Sequence, residues 1–495
     1  MNAHVPTATY APNTQVVPGQ AVEVQNGRVQ SDLTDILARQ RAAFLRDGTP
    51  TLAARRADLA KLKNAVRAHL PEFAKTLDAD FEGRSAKETA ILEGMALVQG
   101  INYLRRNLKA WMRPQKRHVE MHFLPARSRV VYQPLGVVGI MSPWNFPIGL
   151  SLMPLATAIA AGNRTMIKPS EMTPATTDLL SRMLAGIFPE DQVAVVTGGA
   201  DVGAAFSGLP FDHLVFTGST PVGKAVMQAA SANLVPVTLE LGGKSPVVVE
   251  KGFSLKRAAS SIAFGKLANG GQVCVAPDYA LVPENDVEAF VAAYDAAVRA
   301  LYPEGPASDN FTSVINARHY GRLTALLDEA RAKGARVVEV GANPEAARSR
   351  PHTLAPTVVL GATGDMGILN EEIFGPVLPI VPYRKIDDAV AHINAGPRPL
   401  ALYYFGGNGE DRRKVLERTT SGNVTINDTL LHYAQDDLPF GGVGASGMGA
   451  YHGVEGFKAL SHAKGIFEQS RWNMTGALRP PFGLLTRFVT WYLTR

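Results

Sequence analysis

Short apolar strands alternate with helical patterns along most of this chain, and that alternation restricts its fold more than any other feature. In the first half, strand patterns at 137–141, 165–168, 193–196 and 213–217 alternate with helical patterns near 148–161, 173–187 and 221–231. After Glu240 the alternation restarts, with helices near 254–268, 286–300 and 316–332 and strands near 336–340, 376–382 and 400–405. Strand–helix–strand units form parallel sheets with right-handed crossovers. The sequence therefore predicts an α/β protein with two Rossmann-like open-sheet domains that divide near residue 240.

The N-terminal segments have patterns of their own. Residues 1–30 contain prolines at positions 6, 12 and 18 and are expected to form an extended arm, followed by helical periodicity from about residue 32. Another helix is expected over 86–111. Residues 118–123 alternate apolar and polar side chains, and with 129–132 they predict a β-hairpin.

Composition and charge argue against several classes of protein. The net charge of +6 comes without a dense basic stripe, which argues against nucleic-acid binding. A single cysteine argues against a disulfide-stapled secreted protein, and the histidines lack metal-ligand spacing. The N-terminus has no secretory pattern, and no run reaches the ~18 apolar residues of a membrane span. We therefore expect a cytoplasmic protein without a metal site.

The chain ends in an amphipathic pattern after Pro480-Pro481. One helical face carries Leu484, Leu485, Phe488, Val489 and Tyr492. Docking of this face on a protein surface is the favoured interpretation. Contact with a membrane surface is the weaker alternative, because the segment is short and only weakly basic.

Cys274 is the one cysteine of the chain, and it follows the turn Asn269-Gly270-Gly271. A lone thiol makes no intramolecular disulfide and no thiolate cluster, so it is either a small buried apolar residue or a nucleophile. The Gly-Gly turn is a flexible and accessible setting, which favours the nucleophile.

Two glycine segments are candidates for a nucleotide site. The segment 442–447 fits G-x-G-x-x-G, but no buried strand precedes it and too little chain follows for a βαβ unit, so we expect a close-packed loop. The better candidate runs from strand 213–216 through Gly218 and Ser219 into a helix that contains Gly223. The N-terminus of such a helix offers free N–H groups to a phosphate.

Polar residues also lie at the ends of three other predicted strands. Lys168 and Glu171 follow one strand, where they either hold the two hydroxyls of a ribose or form a surface ion pair. Asn145 lies between two prolines in a rigid loop after a second strand. Glu240 ends a third, before two glycines, where a carboxylate is either catalytic or bound to a structural partner.

In this order, and with two later blocks, these motifs resemble the aldehyde dehydrogenase superfamily over about residues 40–465. The later blocks are Glu371-Glu372-Ile373-Phe374-Gly375-Pro376 and Pro439-Phe440-Gly441-Gly442. The finer pattern is similar to the class 3 branch, on Phe44, Gly48, Arg55, Leu59 and the segments 276–279 and 447–453. Within that branch, 435–440 and Pro480-Pro481 look most like the bacterial coniferyl aldehyde dehydrogenases. Val273 departs from the threonine of most members and removes a hydroxyl beside the thiol.

The resemblance implies NAD-dependent oxidation of an aldehyde to a carboxylic acid, with NADP as a further cofactor. Cys274 would be the nucleophile, Asn145 an oxyanion donor, and Glu240 the base that activates water. The expected cofactor-binding residues are Lys168 and Glu171 on the adenosine ribose, Gly218, Ser219 and Gly223 near the pyrophosphate, and Glu372 with Phe374 at the nicotinamide ribose. Since Glu171 would repel a 2′-phosphate, NAD is expected over NADP.

The resemblance also implies a homodimer and a domain order. The expected order is an arm (1–30), an NAD-binding domain in two parts (31–115 and 134–240) interrupted by an oligomerisation hairpin (116–133), a catalytic domain (241–424), a bridging and oligomerisation segment (425–470) and an amphipathic tail (471–495). His432 and Tyr433 are candidates for lining the substrate funnel.

Aromatic, coniferaldehyde-like aldehydes and medium-chain aliphatic aldehydes both remain open as substrates. A CoA-acylating dehydrogenase, a thiol esterase and a catalytically silent protein of this fold are the alternatives. A glutamate that serves water favours hydrolysis over acyl transfer to CoA.

Overall fold

A computed structural model of the protein describes residues 21–473 and 475–495 and contains three β-sheets. The helices α1–α16 of these residues are, in chain order, Ala21–Asp47, Leu52–Phe81, Ala86–Glu88, Ala96–Trp111, Gly149–Ala161, Pro174–Ala185, Ala200–Ser207, Thr220–Ser231, Leu255–Leu267, Val287–Leu301, Ala317–Ala332, Gly367–Asn370, Ile386–Ala395, Glu410–Arg418, Gly453–Ala459 and Leu484–Leu493. The strands β1–β16 are Gln115–Arg117, Arg127–Pro134, Val137–Met141, Arg164–Lys168, Val193–Val195, His213–Thr217, Val237–Glu240, Pro246–Val249, Tyr279–Pro283, Arg336–Glu339, Thr357–Leu360, Val377–Tyr383, Ala401–Phe405, Asn423–Ile426, Gly447–Met448 and Ser461–Glu468.

The first sheet has the strand order β15-β7-β6-β3-β4-β5 and is parallel apart from the edge strand β15. Helices cover both faces, because Val138 and Ile140 of β3 pack with residues of α2, α4 and α5, whereas Val137 and Met141 pack with residues of α1 and α7. A sheet covered on both faces needs continuous apolar strands, and β3 has that sequence. The carboxyl ends of β3, β4, β6 and β7 lie on one edge of this sheet, where ligands of such folds bind.

The second sheet has the order β10-β11-β12-β9-β8-β13-β14, and only β10 is antiparallel to its neighbour. The prediction of two open-sheet α/β domains is therefore confirmed. The chain passes from the first sheet to the second between β7 and β8, and β15 returns it to the edge of the first. The domain boundaries given above stay predictions.

A third, three-stranded antiparallel sheet has β2 between β1 and β16. The predicted hairpin is wrong in its first strand, since residues 121–123 form a 3-10 turn and the strand lies earlier, at Gln115–Arg117. Phe123 packs on Phe467 of β16 with ring centroids 5.8 Å apart, so the segment folds back against the sheet. Alternation of side chains does not reveal such a contact.

The expected extended arm is wrong for residues 21–30, which belong to α1, while residues 1–20 lie outside the described part of the chain. Leu33 and Leu37 anchor α1 in the core of the first sheet. Helix growth is cooperative, and the chain has no proline from residue 19 to 49, so the helix extends beyond its anchor. No helix within residues 21–473 and 475–495 has the length and apolar character needed to cross a membrane.

Candidate active site

Cys274 follows a turn that requires glycine. Asn269, Gly270 and Gly271 all have positive φ, at 50°, 61° and 78°. A Cβ atom on Gly271 would lie 2.3 Å from the carbonyl oxygen of Gly375, so the cysteine loop packs directly against the segment that contains Glu372 and Phe374. On the other side, the Tyr403 hydroxyl donates a hydrogen bond to the Val275 carbonyl. The loop is therefore fixed on both sides of the thiol.

Asn145 is buried beside this loop. Its Nδ2 donates to the Gln272 carbonyl over 3.0 Å, and Asn269 Nδ2 donates to the Asn145 carbonyl, also over 3.0 Å. Gln272 is itself held by bonds from its Nε2 to the carbonyls of Asn269 (2.9 Å) and Ser313 (3.0 Å). The predicted oxyanion donor and the predicted nucleophile thus belong to one hydrogen-bonded unit.

A buried ion pair that no sequence motif indicated supports the Asn145 loop. Arg84 and Glu93 are fully buried, with Nη2 and Oε1 2.9 Å apart. Arg84 Nη1 donates to the Asn145 carbonyl over 2.7 Å. Glu93 Oε2 accepts from the backbone N–H groups of Ile148 and Gly149 over 2.8 and 2.9 Å. The pair therefore holds both ends of the segment that carries Asn145.

Glu240 ends β7 and is buried. Within the described residues neither of its carboxylate oxygens has a hydrogen-bond partner, and burial raises its pKa well above the usual value. A Cβ atom on Gly441 would lie 3.2 Å from Glu240 Oε1 and 2.0 Å from the Gly449 carbonyl oxygen. The glycine at 441 therefore allows the Phe440-Gly441 segment to approach the carboxylate.

The G-x-G-x-x-G segment is a close-packed loop, as the sequence predicted. A Cβ atom on Gly442 would lie 2.0 Å from the Ser446 carbonyl oxygen, and one on Gly447 would lie 2.1 Å from that of Leu239. Gly447 also pairs with Glu240 in the β15–β7 ladder. These glycines serve packing beside the site.

The Cys274 thiol shares an electrostatic environment with two carboxylates. Burial raises its pKa to about 12, and the charges of Glu372 and Glu240 act in the same direction. The backbone N–H groups of Cys274 and Val275 act in the opposite direction. The thiol and the carboxylates of Glu240 and Glu372, which are far apart in the sequence, are therefore close enough in the structure to influence one another's ionisation.

Glu372 lies on a loop held by charged side chains that the sequence did not single out. Lys244 Nζ donates to the carbonyl of Glu371 over 2.8 Å and forms an ion pair with Asp278, and Arg322 donates to the carbonyl of Glu372 over 3.2 Å. A Cβ atom on Gly242 would lie 2.0 Å from Glu372 Oε2, so the carboxylate rests against that glycine. Burial, with the charge of Asp278, raises the pKa of Glu372 to about 8.

Lys168 and Glu171 form an ion pair of 2.8 Å at the end of β4. Lys168 is buried, whereas about half of the Glu171 side chain is exposed. Burial would raise the pKa of Glu171, but the Lys168 ammonium and a backbone hydrogen bond hold it below the usual value. The pair presents an ionised carboxylate at the strand edge.

The Gly218 segment leads from β6 into α8, as predicted, and Ser219 is exposed at the N-terminus of the helix. A Cβ atom on Gly223 would lie 2.6 Å from Leu241 Cδ2, so this glycine allows α8 to approach the β7 edge closely. Gly218 N donates to the Glu240 carbonyl over 3.0 Å.

Aromatic side chains surround the site. Trp144 contacts Phe374, which has a strained φ of 52°, with ring centroids 5.4 Å apart. His432 is buried and bonds through Nδ1 to Thr425 Oγ1 at 2.7 Å, which favours a packing role. Tyr433 is partly exposed. Burial is the main cause that raises its pKa, and the charge of Cys274 adds to it, which indicates that Tyr433 lies closer to the thiol than His432 does. Among the described residues no cluster of histidine, cysteine and carboxylate side chains could hold a metal.

Residues 8–466 match a protein family described as the aldehyde dehydrogenase family. A probable coniferyl aldehyde dehydrogenase of Pseudomonas aeruginosa is 52% identical over 453 residues, which cover 92% of this chain and 94% of that protein. The structure is also similar to the substrate-bound state of Staphylococcus aureus AldH, with a TM-score of 0.88, 36% identity, and coverage of 93% of this chain and 99% of that one. An aldehyde dehydrogenase from Bacillus cereus, solved as an NAD⁺ complex, is similar with a TM-score of 0.79 and 26% identity over 89% of each chain.

Proposed function

The chain belongs to the aldehyde dehydrogenase family, and on that premise we propose that Cys274, Asn145 and Glu240 carry out its oxidation of aldehydes. It is an oxidoreductase that converts an aldehyde to a carboxylic acid with NAD(P). The observation that carries the proposal is the convergence of a lone thiol, a buried amide and a buried carboxylate at the carboxyl edge of the first sheet.

Cys274 attacks the aldehyde carbon as a thiolate and forms a thiohemiacetal. Its pKa of about 12 means that the resting thiol is protonated at neutral pH. A nearby base must therefore take the proton as the carbon–sulfur bond forms. Glu372 and Glu240 are the two carboxylates whose charges act on the thiol, and either of them can accept this proton.

Asn145 stabilises the oxyanion of the tetrahedral intermediate. The bond to the Gln272 carbonyl uses one of its two amide hydrogens and fixes the plane of the amide. The second amide hydrogen is therefore already oriented before the oxyanion forms, and a preorganised donor of this kind stabilises a transition state without any reorganisation of the protein. The backbone N–H of Cys274 is the second donor.

The thiohemiacetal becomes a thioester when it loses hydride, and Glu240 activates the water that cleaves this thioester. A general base works best when its pKa lies near the operating pH, and burial without a hydrogen-bond partner moves a carboxylate in that direction. A base for water favours hydrolysis over transfer of the acyl group to CoA.

The residues at the sheet edge fit NAD(P). Lys168 and Glu171 would hold the adenosine ribose, the Gly218-Ser219 turn and the α8 N-terminus with Gly223 the pyrophosphate, and Glu372 with Phe374 the nicotinamide ribose. Two contacts support this fit: the Glu372 carboxylate rests against Gly242, and Lys168 and Glu171 form an ion pair at the end of β4. When bound, the cofactor accepts the two electrons of the oxidation as hydride. An ionised Glu171 disfavours a 2′-phosphate, so NAD is preferred to NADP.

Aromatic aldehydes of the coniferaldehyde type are the proposed substrates. The named relative from Pseudomonas aeruginosa and the aromatic residues Trp144, Tyr433 and Phe374 near the site support this choice over medium-chain aliphatic aldehydes.

A homodimer is proposed on the third sheet. β16 pairs with β2 on one side and has no strand on its other side within the described residues, and Phe467 is 52% exposed. An open edge with exposed apolar side chains is suited to pairing with another chain.

A cytoplasmic location is proposed because the Cys274 thiol is free, and a reducing compartment preserves a free thiol.

The test is NADH formation with coniferaldehyde, other aromatic aldehydes and a medium-chain aliphatic series, each with and without CoA. We expect the highest kcat/KM with coniferaldehyde, free acid as the product, and no dependence on CoA. Acyl-CoA as the product would refute the role of Glu240, and a preference for aliphatic aldehydes would refute the substrate class.

A further inference from the structure

Every turnover of the proposed reaction releases one proton from the active site to solvent, because an aldehyde, NAD⁺ and water give a carboxylic acid, NADH and one proton. In the mechanism proposed above, Glu240 takes the proton of the attacking water. Glu240 is only 2% exposed, and neither of its oxygens has a hydrogen-bond partner among the described residues. The carboxylate therefore needs neighbouring groups that pass its proton on.

Four aromatic side chains form a compact group, the Phe440 cluster, which consists of Phe440, Tyr433, Tyr451 and His452. The centroid of the Phe440 ring lies 5.1 Å from that of Tyr433, 6.5 Å from that of Tyr451 and 5.0 Å from that of His452. The imidazole of His452 also packs against both tyrosine rings, with centroids 5.1 and 4.6 Å apart. The two phenols are therefore held by the same neighbours.

Two backbone contacts place the Phe440 cluster beside the Glu240 carboxylate. Gly447 pairs with Glu240 in the β15–β7 ladder, and Tyr451 follows four residues later. Gly441 comes directly after Phe440, and a Cβ atom at this glycine would lie 3.2 Å from Glu240 Oε1. The segments on both sides of the cluster thus run past the carboxylate.

The two tyrosines differ in their access to solvent. Tyr451 is 0% exposed and its hydroxyl has no hydrogen-bond partner among the described residues, whereas Tyr433 is partly exposed. A buried hydroxyl without a partner is uncommon in native proteins, and a catalytic role is one of the recognised reasons for it. Together the two phenols form a path from the interior towards the surface.

The electrostatics of the two phenols give this path a direction. Burial is the main cause that raises the pKa of both, and the charge of Glu240 adds to it in each case. The interaction between the hydroxyls raises the pKa of Tyr451 and lowers that of Tyr433, which is the pattern of a Tyr451 hydroxyl that turns its proton towards Tyr433. Since a raised pKa keeps each phenol protonated at neutral pH, each accepts one proton as it gives up another.

We propose that Tyr451 and Tyr433 relay the proton of Glu240 to solvent. The O–H bond of the Glu240 carboxyl group breaks as its proton passes to the Tyr451 oxygen, the Tyr451 proton passes to the Tyr433 oxygen, and the Tyr433 proton passes to water. Both phenols keep one proton, and Glu240 returns to the carboxylate. The inference rests on the proposed function, because it concerns how the base for water is restored.

The test compares Tyr451→Phe and Tyr433→Phe with a matched control, Tyr294→Phe. Tyr294 is 1% exposed and stacks on Phe290 within α10, so the control also removes the hydroxyl of a buried tyrosine. The substrate is cinnamaldehyde, whose ring has no polar group that could bind the deleted hydroxyls. We expect both relay variants to keep a burst of about one NADH per active site, while kcat falls roughly tenfold or more and KM stays close to wild type. The control should turn over like wild type.

Two further measurements separate a relay from a loss of packing. The double variant, Tyr433→Phe with Tyr451→Phe, should be no slower than the slower single variant, because two groups in one path act in series; independent packing defects would multiply. The ratio of kcat in H₂O to kcat in D₂O should be larger in the single variants than in wild type, because release of the proton then limits turnover. Tyr433→Phe lies at the exposed end and still tests the relay if Tyr451→Phe does not fold.

Three results would overturn the relay. The first is a wild-type kcat in a folded single variant, and the second is a double variant whose losses multiply. The third is loss of the NADH burst, which would show that the hydroxyls act before hydride transfer. Failure of the proposed function is a different outcome, since the wild-type protein would then form no NADH.

Discussion

Replacing Glu93 by glutamine is expected to destabilise the protein and to slow catalysis, although Glu93 does not reach the proposed reacting atoms. Glutamine keeps one oxygen that can accept from the backbone N–H groups of Ile148 and Gly149. It removes the negative charge that faces Arg84 at 2.9 Å in a fully buried pair. Leaving one charge of a buried pair without its partner costs about 3–5 kcal/mol of unfolding free energy.

Equilibrium unfolding in guanidinium chloride measures this cost. The matched control is Glu190→Gln, because Glu190 forms a pair with Arg39 at 2.7 Å whose side chains are 53% and 57% exposed. An exposed pair contributes about 0–1 kcal/mol, so the control should unfold close to wild type. The buried and exposed variants differ only in the surroundings of the removed charge.

A double variant separates a lost charge partner from a lost contact. Arg84→Met with Glu93→Gln removes both charges, so no unpaired charge stays buried, and it should be more stable than Glu93→Gln alone. In both variants the Asn145 segment loses part of its support, so kcat should fall by up to roughly the 10²–10³ that loss of an oxyanion donor costs. The reasoning fails if Glu93→Gln unfolds like Glu190→Gln, or if the double variant is the least stable of the three.

The remaining predictions concern the chemistry and its pH range. Cys274→Ser should abolish aldehyde oxidation and leave NAD binding, measured by calorimetry, nearly intact; wild-type-like turnover would exclude Cys274 as the nucleophile. Glu240→Gln should release about one NADH per active site in a burst, measured by stopped-flow absorbance, and its steady-state turnover should then be slower by roughly 10²–10⁴. The reason is that only cleavage of the thioester needs the base that activates water. Loss of the burst would assign Glu240 to deprotonation of the thiol instead. Glu171→Gln should lower the ratio of KM for NADP to KM for NAD, because the charge that repels the 2′-phosphate is lost. An unchanged ratio would show that Glu171 does not contact the ribose. Burial lowers the pKa of four histidines to about 4: His213, His319, His432 and His452. As the pH drops from about 6.5 towards 4, the unfolded chain therefore binds protons that the folded chain does not, and the free energy of unfolding should fall. A flat pH profile of this free energy in guanidinium unfolding would contradict the burial of these histidines.

Some of the fold escaped the sequence patterns for identifiable reasons. The strands β8, β9, β11 and β14 have only four or five residues each, and an apolar run of that length does not distinguish a strand from buried helix or loop. The alternation over 118–123 predicted a strand, but the contact between Phe123 and Phe467, 344 positions apart, decided otherwise.

The sequence by itself determined the α/β class and the two open sheets, and it singled out the proposed reacting groups. Alternating strand and helix patterns restrict the topology locally, and a unique thiol after a Gly-Gly turn can be recognised without coordinates. Only the tertiary structure decided which groups support them. Arg84, Glu93, Lys244 and Asp278 read as ordinary charges along the chain, yet burial turns them into fixed hydrogen-bonding partners of the Asn145 and Glu372 loops. The elevated pKa values of Glu240 and Cys274 likewise arise from burial and from charges brought together by folding, which no local pattern encodes.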